Sequence, residues 1–305
     1  MLIYANSANI LTNLCVFMLR FSILIPTYNR KEKLNKVLEA LSDQEGIDRG
    51  EIIVGVDGSE DGTEEWLDSH SSVFNFQLSI FSIKNSGRAV IRNKLLDRAK
   101  GEIIIFIQDD IIVDTGWLKA HLESHKKAEG AVLGFMTWYP QMELTPYMKW
   151  LENGGHMLDY AGLKDGQETD FWHFYMGNMS IPNKLIGSAR FYENLKIYGW
   201  EDIIFGYQFV SKGNKVYYRN SARAYHWHEY RADNLGEYMK KIGESAAVAE
   251  SLYPGLGFVP DCRKKLVFYF LIYMGKLFRS LIPQNWKWYL DMKEGFLRAV
   301  EEKLG

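Results

Sequence analysis

Two carboxylates stand side by side where an apolar run breaks off. In Gly101-Glu-Ile-Ile-Ile-Phe-Ile-Gln-Asp-Asp110, the residues Ile103 to Ile107 are apolar without interruption, and Gln108, Asp109 and Asp110 follow at once. A run without polar alternation reads as a strand buried on both faces, as in a parallel sheet flanked by helices. Two carboxylates at the end of such a strand are costly unless a cation neutralises them, and a divalent metal that also holds phosphate oxygens would do so. Ser221-Ala-Arg-Ala-Tyr-His-Trp-His228 reads as another strand. His226 and His228 are two apart in it, so both rings project to one face. One imidazole can complete a metal's coordination or hold a pyrophosphate. Asp57 can accept hydrogen bonds from a nucleotide base. Arg88 and Arg92, at i and i+4 on one helix face, can approach phosphate. These residue types describe a pocket for a metal and a nucleotide.

The elements that must position them follow a regular order. Phe21 to Ile25 reads as a strand ended by Pro26, Lys31 to Leu41 as a helix, Glu51 to Val56 as a strand and Thr63 to Ser69 as a short helix. Phe76 to Ile83 is a third strand, Arg88 to Ala99 a helix, and the Ile103 strand comes next. Alternation of strand and helix with short connections predicts a doubly wound parallel sheet with right-handed crossovers. Thr27 and Asn29, Asp57, Asn85 and Arg88, and Asp109 and Asp110 all fall just after strands. In such a sheet the carboxyl ends of the strands line one crevice, where ligands bind. Asn, Asp and Gly also end strands simply as turn formers; four such ends in succession, the last an Asp pair, favour a pocket. Neither a G-x-G-x-x-G nor a G-x-x-x-x-G-K-[ST] motif is present, so side chains rather than a glycine loop would grip the nucleotide.

Composition narrows the class. The 305-residue chain has a net charge of −2, which gives no nucleic-acid signature. Its two cysteines exclude a disulfide framework and a cysteine zinc site, and fit a reducing, cytoplasmic compartment. The apolar part of the first twenty residues is too short to span a bilayer, and residues 1–20 read as a weakly patterned extension.

Pro26-Thr-Tyr-Asn-Arg30, Val56-Asp-Gly-Ser-Glu-Asp-Gly-Thr63, Asn85-Ser-Gly-Arg-Ala-Val-Ile-Arg-Asn93 and Phe106-Ile-Gln-Asp-Asp110, taken with Gly177-Asn-Met-Ser-Ile181, Phe191-Tyr-Glu193 and Gly199-Trp-Glu-Asp-Ile-Ile-Phe-Gly-Tyr207, stand in one order along the chain. That order resembles the inverting family 2 glycosyltransferases of the GT-A fold. The resemblance covers roughly residues 21–228. It implies a Rossmann-like, mixed but mostly parallel sheet flanked by helices over 21–230, followed by a C-terminal helical region over 231–305. It also implies a nucleotide-diphospho-sugar donor, a glycan or lipid-linked glycan acceptor, and Mg²⁺ or Mn²⁺. On the donor side it implies Thr27, Tyr28, Asn29 and Arg30, with Asp57 at the base, and Asn85, Arg88, Arg92, Gln108 and Asp109. Asp110 matches the last carboxylate of the D-x-D motif and so a metal ligand, with His226 or His228 beside it. Gln108 stands where that motif has its first aspartate, a departure that removes one charge. Asn178, Trp200 and Glu201 fall on the acceptor and sugar side, and Asp202 matches the general base. An in-line displacement needs such a base within ~3 Å of the acceptor hydroxyl.

Trp150 and Trp172 are candidates for stacking on a sugar or for core under a long irregular segment, Gln141 to Asp170. Of the remaining histidines, His121, His125 and His173 have no partner spacing and read as structural. Asn234 to Leu252 reads as an amphipathic helix. From Asp261 onward there are nine basic and five acidic residues, a net of +4 against −6 for the rest. The aromatic-rich run Leu266 to Ile282 is interrupted by Lys276 and Arg279, too short a span to cross a bilayer. Its basic flanks suit a helix lying on the inner face of a membrane; packing on the catalytic domain or on a second copy of the chain is the other reading. Two further functions compete with transfer of a sugar. A nucleotidyltransferase would want a basic glycine-rich loop after the first strand, and a binding module without catalysis would not need Asp110 and Asp202.

Overall fold

The computed structural model describes residues 20–153, 157–195 and 199–305. The N-terminal extension expected before Arg20 lies outside them. The first half alternates strand and helix: β1 (Phe21–Thr27), α1 (Lys31–Ser42), β2 (Glu51–Asp57), α2 (Thr63–His70), β3 (Gln77–Ile83), α3 (Arg88–Leu96) and β4 (Ile103–Ile107). Then come β5 (Ile111–Val113), α4 (Trp117–Lys127), β6 (Ala131–Trp138), α5 (Pro146–Glu152), β7 (Glu168–Thr169), β8 (Asn178–Pro182) and α6 (Asn183–Ile186). The chain closes with α7 (Glu201–Val210), β9 (Val216–His226), α8 (Leu235–Leu252), α9 (Cys262–Leu277) and α10 (Gln284–Leu304).

All the strands share one sheet, ordered β3-β2-β1-β4-β8-β6-β9-β5, with β7 paired to β9. Strands β3, β2, β1 and β4 are mutually parallel, as their alternation with helices requires. Beyond β4 the sheet is mixed: β8 runs antiparallel to β4 and β6, while β6 and β9 are parallel. The uninterrupted apolar strands β1, β2 and β4 are buried along nearly their whole length, in keeping with coverage of both faces.

Pro26 does not end β1. The pairing of β1 with β4 stops at Leu24, and from there β1 is bonded only to β2, through Thr27. Pro26 therefore occupies a stretch already open on one side, where a missing N–H costs no ladder bond. The segment Gln141 to Asp170, expected to be irregular, contains α5. Thr145 caps it by accepting a hydrogen bond from the Met148 N–H, with Pro146 at the first helical position.

The principal core lies on both sides of the sheet. It takes in Ala246 and Ala249 of α8 and Val300 of α10, so the C-terminal helices share it. A second apolar cluster joins Trp138, Tyr147, Met148 and Leu151 to Leu235, Met239 and Met292. Trp150 belongs to this packing, with its ring 5.7 Å from both Tyr147 and Trp288, and it lines neither cavity described below. Trp172 does face the larger cavity.

Candidate active site

Pairing of β5 with β9 builds a corner that could hold a metal. Ile111 stands opposite His226, and one step further the Trp227 N–H donates to the Asp110 carbonyl at 2.8 Å. Lys33 of α1 donates its ammonium to the Trp227 carbonyl at 2.6 Å. Trp227 thus has both backbone groups engaged, and its neighbours His226 and His228 turn to the same side, their rings stacked 5.7 Å apart. His226 Nε2 lies 3.6 Å and His228 Nδ1 3.3 Å from Asp110 Oδ2. One ligand atom from each of the three residues falls within a 4.8 Å cluster. Asp110 is almost wholly buried, and its Oδ1 has no hydrogen-bond partner among the described residues. Burial pushes the Asp110 carboxyl up, but the two histidines and Arg30 outweigh it and hold it well below the usual carboxylate range. His228 is pulled up by Asp110, yet burial together with His226 and Arg30 leaves it below an ordinary histidine. A carboxylate held ionised, an orphaned buried oxygen and an imidazole biased toward its neutral form suit a divalent cation.

Arg30 spans the aspartate pair. One guanidinium nitrogen lies 3.0 Å from Asp109 and 2.5 Å from Asp110. Burial, and then repulsion from Asp110, raise Asp109 to about 6 against the pull of Arg30. A cavity of about 280 Å³ opens here, lined by Thr27, Tyr28, Asp57, Asn85 and Asp109 among others. A larger one of about 960 Å³ holds Asp110, Trp200, Glu201, Asp202, His226 and His228. The two adjoin, since Arg30, Arg88, Arg92 and Gln108 line both.

Asp57 acts locally. Its two carboxylate oxygens accept from the Ser86 N–H at 2.8 Å and the Gly87 N–H at 3.0 Å, which fixes the turn between β3 and α3. A carboxylate has lone pairs left for a base. Asn29 lines neither cavity. Its side chain accepts from the Glu60 N–H, and its own N–H donates to Ser59, so it joins the turns after β1 and β2. Expected on the donor side, Asn29 here supports the loop that carries Tyr28 and Arg30.

Asp202 sits in the first turn of α7, where the helix dipole favours acids. Gly199 and Trp200, both with positive φ (106° and 68°), make the turn that aims it. The positive φ at Gly199 favours glycine, and a Cβ there would also come within 2.6 Å of the end of the Ile242 side chain and push it aside. Helix α8 clamps this turn: Ser245 donates to the Gly199 carbonyl at 2.6 Å, and Trp200 Nε1 to the Ile242 carbonyl at 2.9 Å. Glu201 and Arg92, expected on sugar and phosphate, meet each other. Arg92 donates to Glu201 at 2.9 Å with both side chains buried, and its guanidinium lies over Phe191. Burial, then the Glu201 charge, raise Asp202 to about 6, with Arg92 pulling the other way.

Asn178 does not contact the cavity. It is fully buried and mends a bulge where the β6–β9 register slips between Gly134 and Phe135. Its amide donates to the Phe135 and Ala222 carbonyls, and its oxygen accepts from Trp117 Nε1 and lies 2.9 Å from His121 Nε2. Its amide nitrogen is spent on the sheet and its oxygen on α4, so its role is structural. Burial drives His121 down to about 3, and it too is structural, as expected. Tyr175 and Tyr230 escaped the sequence reading. Both line the large cavity, and Tyr230 packs 4.7 Å from the His228 ring. Isolated tyrosines outside any motif offered no signal.

The chain spans less than two thirds of the length of these curated relatives. It is 28% identical over 242 residues to the uncharacterized glycosyltransferase YfnE of Bacillus subtilis, a match covering 64% of this chain and 61% of that one. It is 28% identical over 112 residues to the poly(ribitol-phosphate) beta-N-acetylglucosaminyltransferase TarS of Staphylococcus aureus, covering 35% and 20%. Among solved structures, S. aureus TarS 1-349 in complex with UDP-GlcNAc matches with a TM-score of 0.55 at 14% identity, covering 93% of this chain and 91% of that one. The mannosyltransferase PcManGT from Pyrobaculum calidifontis in complex with GDP-Man and Mn²⁺ matches at 0.61 and 14%, covering 93% and 87%. These likenesses share the GT-A fold. The family profile described as Glycosyl transferase family 2 matches residues 22–185, more than half of the chain, and the chain therefore belongs to glycosyltransferase family 2.

Proposed function

We propose that this chain transfers a sugar from a nucleoside-diphospho-sugar to an acceptor hydroxyl with inversion at the anomeric carbon, and that Asp202 takes the acceptor's proton. The observation that carries this reading is a single cavity shared by Asp202, from the start of α7, and by Asp110, His226 and His228, from the ends of β4 and β9. The acceptor oxygen forms the new glycosidic bond as the bond from the anomeric carbon to the phosphate oxygen breaks. The electron pair leaves with the nucleoside diphosphate and the proton passes to Asp202. A divalent cation held by Asp110, His226 and His228 would supply Lewis-acid stabilisation of the departing diphosphate. Two imidazoles beside one carboxylate suit Mn²⁺ better than Mg²⁺, which prefers oxygen ligands. Arg88 and Arg30 face both cavities and are the cations for the diphosphate. Asp57, Thr27 and Tyr28 receive the nucleoside in the smaller one. The name of one relative, a poly(ribitol-phosphate) beta-N-acetylglucosaminyltransferase, favours a polymer as acceptor.

Asp202→Asn tests this reading. Transfer should fall by about a hundred- to ten-thousandfold, what loss of a general base costs, while nucleotide binding stays within about twofold of the parent. The amide should also melt no lower than the parent at neutral pH, because burial disfavours the carboxylate there. Surviving turnover in this variant would show that another group is the base.

A further inference from the structure

We propose that the outer face of α9 docks on an anionic lipid bilayer, lying in its surface. The inference stands apart from the transferase reading.

Helix α9 packs on α10 through Ile272 and Gly275, where a Cβ would come within 2.1 Å of Leu290. On the opposite side Leu266, Phe270, Tyr273 and Leu277 follow at intervals of four, three and four, which is one stripe of an α-helix. Val267 lies beside it and Leu281 continues it past the helix end. These six side chains are 56–78% exposed. A solvent-facing stripe would ordinarily be polar, and a contiguous apolar patch of this kind marks an interaction surface.

Charge identifies the occupant. Helix α9 carries Arg263, Lys264, Lys265 and Lys276 and no acid. The first three occupy its first turn, where the positive end of the helix dipole disfavours cations. That placement costs helix stability, and the N-cap Asp261, which accepts from the Lys264 N–H and lies 4.0 Å from its ammonium, offsets it only in part. Arg263 lies three residues before Leu266 and seven before Phe270, in line with the stripe. Arg263 and Lys265 have no ion-pair partner among the described residues, whereas Lys276 and Arg279 are held by Glu294 and Asp291 of α10. The surface is thus apolar along its length and cationic at one end, the pattern of a helix lying in a charged lipid interface. No helix among the described residues is long and apolar enough to cross a membrane. A second copy of the chain fits less well, because parallel stripes set cation against cation and antiparallel stripes offer Arg263 and Lys265 no acid from α9. Lys264 and Phe268, on the other side of α9, line the large cavity. A docked bilayer would then lie about one helix diameter, ~10 Å, from the acceptor end of the site.

Co-sedimentation of the full chain with vesicles, without nucleotide or metal, tests this. Vesicles containing phosphatidylglycerol should pull the protein down, and vesicles of phosphatidylcholine alone should do so at least tenfold more weakly. Arg263→Gln with Lys265→Gln should weaken binding roughly thirtyfold, as loss of two charges at an anionic surface implies, and should flatten its salt dependence. Phe270→Ser with Leu277→Ser should weaken binding at any salt concentration. Arg263, Phe270 and Leu277 are exposed and point away from α10, and the half-buried Lys265, seven residues before Ile272, has no ion-pair partner among the described residues, so thermal melts of both double variants should match the parent. Equal binding to the two kinds of vesicle, or undiminished binding by either double variant, would overturn the proposal. So would absence of vesicle binding together with a dimer, seen by sedimentation equilibrium, that Phe270→Ser and Leu277→Ser dissolve.

Discussion

Asp202 is a carboxylate kept where carboxylates are costly, and that cost sets the pH at which it can serve as a base. Burial and the adjacent Glu201 charge raise it to about 6, well above a free aspartate. Only the ionised form accepts a proton, so activity should be level above that value. Below it, kcat/KM should fall tenfold per pH unit as Asp202 protonates. A profile of kcat/KM between pH 4.5 and 8, about 1.5–2 units to either side of that pKa, checks this. A rate that instead rose with acidity would assign the proton transfer to a different group. Asp109 is likewise raised to about 6, so a second measurement is needed to identify the group. Arg92 pulls Asp202 down and is not among the leading charges acting on Asp109, so removing Arg92 should move the acid limb to higher pH markedly if Asp202 is responsible and much less if Asp109 is.

The start of α7 is held by elements remote in sequence. Arg92 of α3 and Glu201 of α7 are joined across 109 positions, and α8 holds the Gly199–Trp200 turn from the other side. A buried ion pair is weak evidence for stability while intact, but loss of one partner leaves the other charge buried and uncompensated. Arg92→Met should therefore cost about 3–5 kcal/mol, measured by urea unfolding. If the loss is under about 1 kcal/mol, Glu201 has water or another partner and the pair does not fix α7. Asn178 works in the same way at the β6–β9 bulge, where one amide replaces the ladder bonds that the register slip removes.

Across the molecule, the sheet order is what brings the site together. Strand β4 is central, β9 lies three strands away, and the short β5 folds back from Asp110 to pair with β9, which carries the histidines to the aspartate. A ligand that binds only the folded chain raises its stability by mass action, ~2.7 kcal/mol at a hundredfold excess over Kd. A thermal-shift panel of nucleoside diphosphates with and without Mn²⁺ should find one nucleotide whose stabilisation is larger with the metal. The metal-dependent part should vanish in His228→Ala, while the metal-independent part remains. Identical shifts with and without Mn²⁺ for every nucleotide would remove the cation from the site.

Much of this was legible in the chain itself. Uninterrupted apolar runs ended by polar turns dictated the parallel half of the sheet, because a strand covered on both faces admits no alternation. The same turns announced the ligand crevice, since strand carboxyl ends in such a sheet must converge. Asp110, His226 and His228 were readable as candidate metal ligands, the aspartate from its place after a buried strand and from the family resemblance, the histidines from a spacing of two. What the sequence could not convey is which polar side chains the protein would spend on itself. Asn178 and Asn29 look like ligand groups in a series of motifs, yet they are held by a bulge and a loop, and Arg92 and Glu201, which line the large cavity, are paired with each other, contacts that exist only once distant strands and helices meet. Hydrogen-bond partners are assigned by proximity in space, and the proximity of α3 to α7, or of β5 to β9, follows from packing and from no local pattern of residues.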